Sequence, residues 1–113
     1  MTIVTTIDVH GMTAAEYARV MNRLGVEEDP APGIYLHLTA QTDFGYRVVE
    51  IWDSEAGFDA FLADRLAPAA EAEGITREMQ IKIEPLHNFF APRIAELPGL
   101  IPSLPGGPVK RKP

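Results

Sequence analysis

A histidine and a glutamate stand at positions that a β-hairpin would bring together. His37 and Glu50 lie in two runs of alternating side chains on either side of the turn-forming tetrapeptide Thr42-Asp-Phe-Gly45. Antiparallel partners have a constant index sum, so placing Thr42 opposite Gly45 puts His37 opposite Glu50. A carboxylate beside an imidazole orients the ring and favours its protonation, as a general acid or base requires. We predict this pair to be catalytic; the alternative is a cross-strand pair that only satisfies two buried polar groups.

The same register predicts a binding surface for a flat ligand. Tyr35 falls opposite Trp52 on the face that carries the catalytic pair, and both rings could stack on a planar aromatic molecule. Packing across a dimer interface is the other interpretation of these two rings. Four further residues are predicted to add polar groups to this cavity or its mouth: Asp8, His10, His87 and Asn88.

The sequence predicts neither a metal nor a dissociable cofactor. The chain has three histidines and no cysteine, and the histidines have none of the close spacings, such as HxH or HxxxH, that ligand pairs use. It also has no glycine-rich phosphate loop, no GxSxG elbow and no dinucleotide-binding fingerprint.

Composition limits the class of protein and its partners. The 113 residues, 46% of them hydrophobic, predict one globular domain with a core of ordinary size. A formal charge of −6 argues against nucleic acid and anionic membranes as partners, because both are bound mainly through Lys and Arg. The absence of cysteine, of a signal-peptide pattern at the start and of a long apolar run leads us to expect a cytoplasmic protein.

Four strands and two helices must position these residues. Residues 2–10 are rich in β-branched side chains and predict the first strand. The first helix is marked by a capping box, Thr13-Ala-Ala-Glu16, and by Gly25 as its C-terminal stop. The hairpin supplies the second and third strands.

The second helix and the last strand complete the predicted domain. The helix should begin at Asp53 or Ser54, be kinked or interrupted at Pro68, and end at Gly74. The last strand is predicted over about residues 78–90, where Pro85 implies an edge position or a bulge.

The chain divides into a domain over residues 1–90 and a proline-rich tail over residues 91–113. Prolines at positions 92, 98, 102, 105 and 108 break any regular structure in the tail, yet its apolar side chains argue against full disorder. We expect the part from Ile94 to Leu104 to lie on the domain or on a partner subunit, and residues 106–113 to be loose.

This order of elements predicts an α+β fold, a ferredoxin-like βαββαβ sandwich with a four-stranded antiparallel sheet. Both helices are expected to cover the aliphatic face of the sheet, leaving open the mixed face that carries His37 and Glu50. Burial of that open face in a homodimer would enclose the cavity. The expected aliphatic face consists of Ile3, Thr5, Ile7, Val9, Leu36, Leu38, Val49 and Ile51.

Two consecutive segments resemble those of a known superfamily. Val48-Val-Glu-Ile-Trp-Asp-Ser54 and Glu55-Ala-Gly-Phe-Asp-Ala-Phe61 are similar to the dimeric α+β-barrel superfamily, the antibiotic biosynthesis monooxygenase-like proteins. The resemblance spans roughly residues 2–90. It implies a homodimer and a range of activities that includes cofactor-independent monooxygenases of polyketide quinols, haem-degrading enzymes and isomerases. A tryptophan on the third strand lines the cavity of such enzymes, and Trp52 matches that position.

The resemblance does not extend to the haem-degrading branch. Those enzymes also use a histidine on the second helix and an asparagine on the first strand. This sequence has no histidine between Ser54 and Glu73, and it has Thr6, Asp8 or His10 where the asparagine would stand.

We therefore expect an enzyme of secondary, polyketide-like metabolism acting on a small planar hydrophobic molecule. The expected reaction is cofactor-independent oxygenation, or a proton-transfer isomerisation or cyclisation. The alternative is a non-catalytic binding protein for a small hydrophobic ligand.

Overall fold

Four strands form one antiparallel sheet in the order β2-β3-β1-β4. The computed structural model describes residues 1–105, so residues 106–113, the part of the tail expected to be loose, lie outside the described residues. The sheet order and the connecting helices confirm the predicted α+β, ferredoxin-like fold. The strands are β1 (Ile3–His10), β2 (Ile34–Gln41), β3 (Gly45–Trp52) and β4 (Met79–Pro85).

The first helix, α1 (Ala14–Leu24), has both of its predicted end signals. The Thr13 side chain accepts a hydrogen bond from the Glu16 amide, and the Glu16 carboxylate accepts one from the Thr13 amide. At the other end Gly25 adopts a left-handed conformation with φ 59°, and its amide bonds to the Met21 carbonyl. These caps fix where the helix starts and stops over the sheet.

The second helical region is continuous but changes pitch. Ser54 caps α2 (Glu55–Phe61), a π-helical turn covers Leu62–Leu66, and α3 (Ala67–Ala72) follows. Pro68 has no amide hydrogen to give to the helix, and the π-helical turn lies just before it. The helical region therefore passes the proline with a local change of pitch, and it ends near Gly74, whose φ is 70°.

The hairpin has the predicted turn. Thr42 and Gly45 exchange backbone hydrogen bonds of 2.8 and 3.4 Å, and His37 pairs with Glu50 as the index sum predicts. The predicted pairing of Tyr35 with Trp52 is wrong. A β-bulge between Ile34 and Leu36 places Ile34 opposite Trp52 instead, because the bulge adds one residue to β2.

On the hairpin the helices cover the opposite face from the one predicted, whereas on β1 they cover the predicted face of Ile3, Thr5, Ile7 and Val9. Ile3 pairs directly with Trp52, and Ile7 pairs directly with Val48, so the buried side chains of β1 share a face with Trp52 rather than with Ile51. This is also the face of His37 and Glu50. The mixed face of the hairpin is therefore the helix-covered face, and the expectation that it stays open is wrong.

Aromatic packing is the physical reason for this choice of face. The indole of Trp52 is fully buried, with ring centroids 5.9 Å from Phe58 and 5.5 Å from Phe61 on α2. Burial of such large rings supplies more apolar contact than the aliphatic face could. The face away from the helices carries the paired side chains Val4, Leu36, Leu38, Val49 and Ile51, together with polar residues.

The last strand is shorter than predicted and lies at the predicted edge. β4 ends at Pro85, which pairs with Ile3, whereas the sequence predicted a strand to about residue 90. A proline suits this place because an edge strand can lose one amide donor. Beyond it the tail forms one short 3₁₀ helix, Ile94–Gly99. Within residues 1–105 no helix is long and apolar enough to span a bilayer.

The hairpin turn provides a test of the fold. Gly45 has φ 146°, and a Cβ atom there would collide with the Val9 carbonyl oxygen. We expect Gly45→Ala to lower the free energy of unfolding by at least ~1 kcal/mol, because alanine disfavours this conformation and the neighbouring backbone leaves no room. Chemical denaturation monitored by Trp52 fluorescence measures the change.

Gly99→Ala is the matched control. Gly99 does not have a positive φ, and no atom lies within 4 Å of the place that an added Cβ atom would take. Its substitution should leave the unfolding curve in place. Equal stability of the two variants would contradict the close approach of the turn to β1.

Candidate functional site

A cavity of about 360 Å³ lies between the helices and the sheet. This volume is within the range of small-molecule sites in proteins, ~300–1,000 Å³. The wall is mainly aliphatic and aromatic, with Ile7, Val9, Met21, Leu24, Phe61 and Leu66 among its residues. Five lining residues have side chains with polar groups: Tyr17, Tyr35, His37, Glu50 and Arg77.

Glu50 is a buried carboxylate with two donors. Only 4% of the residue is exposed, and its Oε1 accepts a 3.0 Å hydrogen bond from the indole Nε1–H of Trp52. Its Oε2 lies 2.8 Å from Nδ1 of His37. A carboxylate accepts hydrogen bonds and does not donate them, so we assign the hydrogen of His37 to Nδ1. Both oxygens are thereby satisfied, as a buried charge requires.

His37 is held on both sides of its ring. While Nδ1 bonds to Glu50, Nε2 lies 3.2 Å from the Tyr17 hydroxyl and 3.0 Å from the Thr39 hydroxyl. With the hydrogen on Nδ1, Nε2 of the neutral ring is an acceptor. The residue is largely but not fully buried, with 19% of its side chain exposed. This ring can therefore take up a proton at Nε2 while Glu50 stabilises the resulting positive charge.

Tyr17 joins the helix to this network. It lies on α1 just after the capping box, and its hydroxyl is 2.9 Å from Thr39 Oγ1. Its ring stacks on Tyr46 of β3, with centroids 4.9 Å apart. Burial, the largest cause, raises the pKa of the Tyr17 hydroxyl above its usual range, so the neutral phenol is favoured.

Arg77 is the positively charged residue on the cavity wall. Its Nε and Nη2 atoms bond to the Glu16 carboxylate at 3.1 to 3.3 Å. These bonds hold the pKa of the Glu16 carboxyl below its ordinary value. Glu16 thus serves both the helix cap and the ion pair, and Arg77 is fixed at the start of α1.

Tyr35 and Trp52, the two residues predicted to stack on a planar ligand, occupy different places from those expected. Trp52 is fully buried among Phe58 and Phe61 and does not line the cavity; its indole holds Glu50 instead. Tyr35 lines the cavity edge, but it is 70% exposed and lies at the bulge. Of the two, only Tyr35 is placed to meet a ligand in the cavity.

The structure does not bring Asp8 and His10 to the cavity. Both lie on the sheet face away from the helices. Asp8 accepts two hydrogen bonds, of 2.7 and 2.9 Å, from Arg47, which lower the pKa of its carboxyl. The His10 ring stacks on Phe44 of the hairpin turn at 4.8 Å. Their side chains therefore stabilise the sheet face that lies away from the helices.

His87 and Asn88 follow β4 in an exposed segment without regular structure. Neither residue is on the cavity wall. Their predicted part in ligand binding stays a prediction that the contacts within residues 1–105 do not support.

Sequence reasoning misses several residues of the site, Arg77 among them. The helical spacing of Tyr17 indicates a staple and core residue, although a tyrosine in a core stripe needs a partner for its hydroxyl. Thr39 follows His37 by two residues and so shares its face, which the strand alternation could have revealed. Leu104 of the tail also lines the cavity, and no local pattern in the sequence signals this long-range contact.

Within residues 1–105, no group of three or more His, Asp or Glu side chains is arranged to hold a metal ion. The Thr5 hydroxyl is fully buried on the strand beside Glu50 and has no hydrogen-bond partner among the described residues. The polar groups on the cavity wall include a carboxylate, an imidazole and a phenol, a set suited to proton transfer.

No protein-family model matches this sequence, and no curated protein sequence matches it. Solved structures of the same fold do match. SnoaB, a cofactor-independent oxygenase from Streptomyces nogalater, is 20% identical, with a TM-score of 0.55 over 78% of this chain and 93% of that one. A candidate antibiotic biosynthesis monooxygenase from Caulobacter crescentus is 22% identical, with a TM-score of 0.54 over 77% of this chain and 89% of that one.

A third match is a protein of unknown function from Nitrosomonas europaea. It is 15% identical, with a TM-score of 0.58 over 80% of this chain and 94% of its own. Likeness at this level of identity concerns the fold. The chain therefore shares the α+β fold of these solved structures.

Proposed function

We propose that this protein is an enzyme of secondary, polyketide-like metabolism that removes a proton from a planar hydrophobic substrate. The observation that carries the proposal is the hydrogen bond between Glu50 and His37 on the wall of an otherwise apolar cavity. An apolar wall selects a hydrophobic body, and the converging polar groups select a molecule with a weakly acidic hydroxyl or CH group. The named activity of SnoaB, cofactor-independent oxygenation, supports the same class of chemistry.

His37 is the proton acceptor in this proposal, and Glu50 is its positioning partner. Substrate ionisation places a positive charge on the imidazole, and the buried carboxylate at 2.8 Å stabilises that charge where water is scarce. The Trp52 indole holds the other carboxylate oxygen, so Glu50 cannot turn away. The pair therefore keeps its geometry through the reaction.

Oxygenation without a cofactor requires electrons from the substrate. A ring CH₂ group that has been deprotonated can reduce O₂, so that one oxygen atom forms C=O and the other leaves as water: R₂CH₂ + O₂ gives R₂C=O + H₂O. The protein contributes deprotonation and stabilisation of the anion. The same proton transfer without O₂ would give isomerisation or cyclisation, which the proposal includes.

A binding protein for a small hydrophobic ligand is the second candidate. The observation that favours it is the fraction of the cavity wall that is aliphatic, because such a wall holds an apolar molecule without any reaction. In this case the His37–Glu50 pair would serve only to satisfy buried polar groups.

We also propose that the protein forms a homodimer through the sheet face away from the helices. Leu38 on the edge strand β2 is 48% exposed on that face, and Val4, Leu36 and Val49 beside it are partly exposed, whereas Ile51 is already buried. A patch of this kind is an association surface in a soluble protein. The proposed interface differs from the one expected from the sequence, because the mixed face is already covered by the helices.

Catalysis can be tested with 1,8-dihydroxyanthrone, a planar phenol with a reactive ring CH₂, by following O₂ consumption and formation of the quinone. We expect His37→Ala to lower kcat by about 10²–10⁴-fold, the usual contribution of a general base. Glu50→Gln keeps the shape but not the charge and should cause a smaller loss. Glu84→Gln, an exposed glutamate on the edge strand β4, is the matched control. Unchanged turnover in His37→Ala would refute the assigned role.

The pH dependence of ligand binding separates an enzyme from a binder. Alizarin, a planar hydroxyanthraquinone whose visible spectrum changes on ionisation, serves as the probe. A binder should hold it over ~pH 5–8, where an imidazole titrates, with a pH dependence that is the same in the wild-type protein and in His37→Ala, and should form no product from the anthrone. If His37 accepts the phenolic proton, the pH dependence of the spectrum of bound alizarin should instead differ between the wild-type protein and His37→Ala.

The dimer proposal predicts a change of mass on substitution of one exposed leucine. Leu38→Asp would place a charge in the interface, so we expect a monomer in light-scattering measurements where the wild-type protein is a dimer. Ala60→Asp adds the same charge at an exposed position of α2, on the other side of the sheet, and should leave the dimer intact. A wild-type monomer would refute the interface.

A further inference from the structure

We propose that Tyr17 is a catalytic residue, the group that receives the substrate proton and passes its own proton to His37. The inference rests on the proposed function and adds a participant and a step to it. It follows from the positions of three hydroxyl and imidazole groups relative to the cavity: Tyr17, His37 and Thr39.

The bonds of His37 leave it without a free nitrogen. Nδ1 is bonded to Glu50 at 2.8 Å, and Nε2 is within hydrogen-bonding distance of both Tyr17 and Thr39. A substrate in the cavity therefore cannot reach Nε2 without displacing one of the two hydroxyls. Direct proton transfer to the imidazole would break part of the network that orients it.

Of the two hydroxyl-bearing residues, Tyr17 is the one on the cavity wall. Thr39 contacts both Tyr17 and His37 but does not line the cavity, so it lies behind the pair. Thr39 can donate a hydrogen bond to the Tyr17 oxygen, which leaves the Tyr17 hydrogen directed at Nε2. The Tyr17 oxygen is then the acceptor that a substrate hydroxyl meets.

The phenol is also held firmly in place. Its ring stacks on Tyr46 at 4.9 Å, and α1 is fixed by the Thr13–Glu16 capping box one residue before it. A phenol held rigidly between the cavity and Nε2 of His37 has the geometry that a proton relay requires.

The relay moves two protons and leaves Tyr17 unchanged. In the enol tautomer of the substrate, whose anion is the same as the one formed by deprotonating the ring CH₂ group, the O–H bond breaks and its proton moves to the Tyr17 oxygen. At the same time the Tyr17 O–H bond breaks and that proton moves to Nε2 of His37. The products are a substrate anion and an imidazolium beside Glu50. Because burial disfavours a tyrosinate here, both transfers occur together rather than through ionised Tyr17.

Tyr17→Phe is the decisive variant, since it keeps the stacked ring and removes only the hydroxyl. With 1,8-dihydroxyanthrone and O₂ we expect kcat to fall by at least ~10²-fold while KM changes little. Tyr46→Phe is the matched control: it removes a hydroxyl from the stacked partner ring that is not among the hydrogen-bond partners of His37 within residues 1–105, and it should retain wild-type kcat. For the wild-type protein in mixtures of H₂O and D₂O, a plot of kcat against the deuterium fraction should be curved rather than straight, because two protons move in the same step.

Failure of the relay and failure of the proposed function are distinguishable. Wild-type kcat in Tyr17→Phe, combined with loss of activity in His37→Asn, would overturn the relay and leave His37 as a direct base. Wild-type kcat in both variants would overturn the proposed function as well.

A measurement without substrate tests the contact itself. Nitrogen-15 NMR of the His37 ring should show a shifted Nε2 signal in Tyr17→Phe, because the hydroxyl at 3.2 Å is lost. The Nδ1 signal, which reports the bond to Glu50, should stay in place. An unmoved Nε2 signal would overturn the relay whatever probe the cavity accepts.

Discussion

A buried carboxylate sets the conditions that the rest of this structure must meet. Glu50 lies inside the layer between sheet and helices, where an unpaired charge would cost several kcal/mol. The indole of Trp52 and the imidazole of His37 supply the two donors that make its burial tolerable. Each of these donors is a residue on the same hairpin, so the charge, its partners and the cavity wall are fixed by one local pairing.

The register of the hairpin therefore determines both the burial of Trp52 and the geometry of the His37–Glu50 pair. A shift of one residue would turn Glu50 and His37 to the opposite face and expose Trp52. The Thr42–Gly45 turn prevents such a shift, because Gly45 passes too close to the backbone of β1 for any other residue. The β-bulge beside Tyr35 is an irregularity in the pairing of β2 with β3, and it leaves the His37–Glu50 pair in register. The helix then adds Tyr17 to a network that the sheet has already ordered.

The parts of the fold that sequence reasoning predicts correctly are those set by neighbouring residues. The turn, the His37–Glu50 pairing, the Thr13–Glu16 box and Gly25 all depend on short-range geometry. Alternation of side chains divides each strand into two faces, but it does not say which face of the hairpin lies on the same side of the sheet as the apolar face of β1. Sequence reasoning therefore misses which face the helices cover. That choice depends on the register between Ile3 and Trp52, residues far apart in the chain, and on packing against α2. For the same reason sequence reasoning does not assign the tail residue Leu104 and the helix residue Tyr17 to the site.

The position of the network beneath an apolar cavity suits the proposed reaction with a neutral substrate. In that reaction the carboxylate of Glu50 is balanced by two N–H dipoles before proton transfer, and afterwards it faces a full imidazolium at 2.8 Å. In a site that excludes water, this gain in Coulomb energy is larger than it would be in solution and offsets part of the cost of forming a substrate anion. In the proposed relay Tyr17 separates that anion from the imidazolium by a single hydroxyl, close enough for the two charges to attract. The proposed proton transfer therefore depends on the contact between His37 and Glu50, which the register of the hairpin sets.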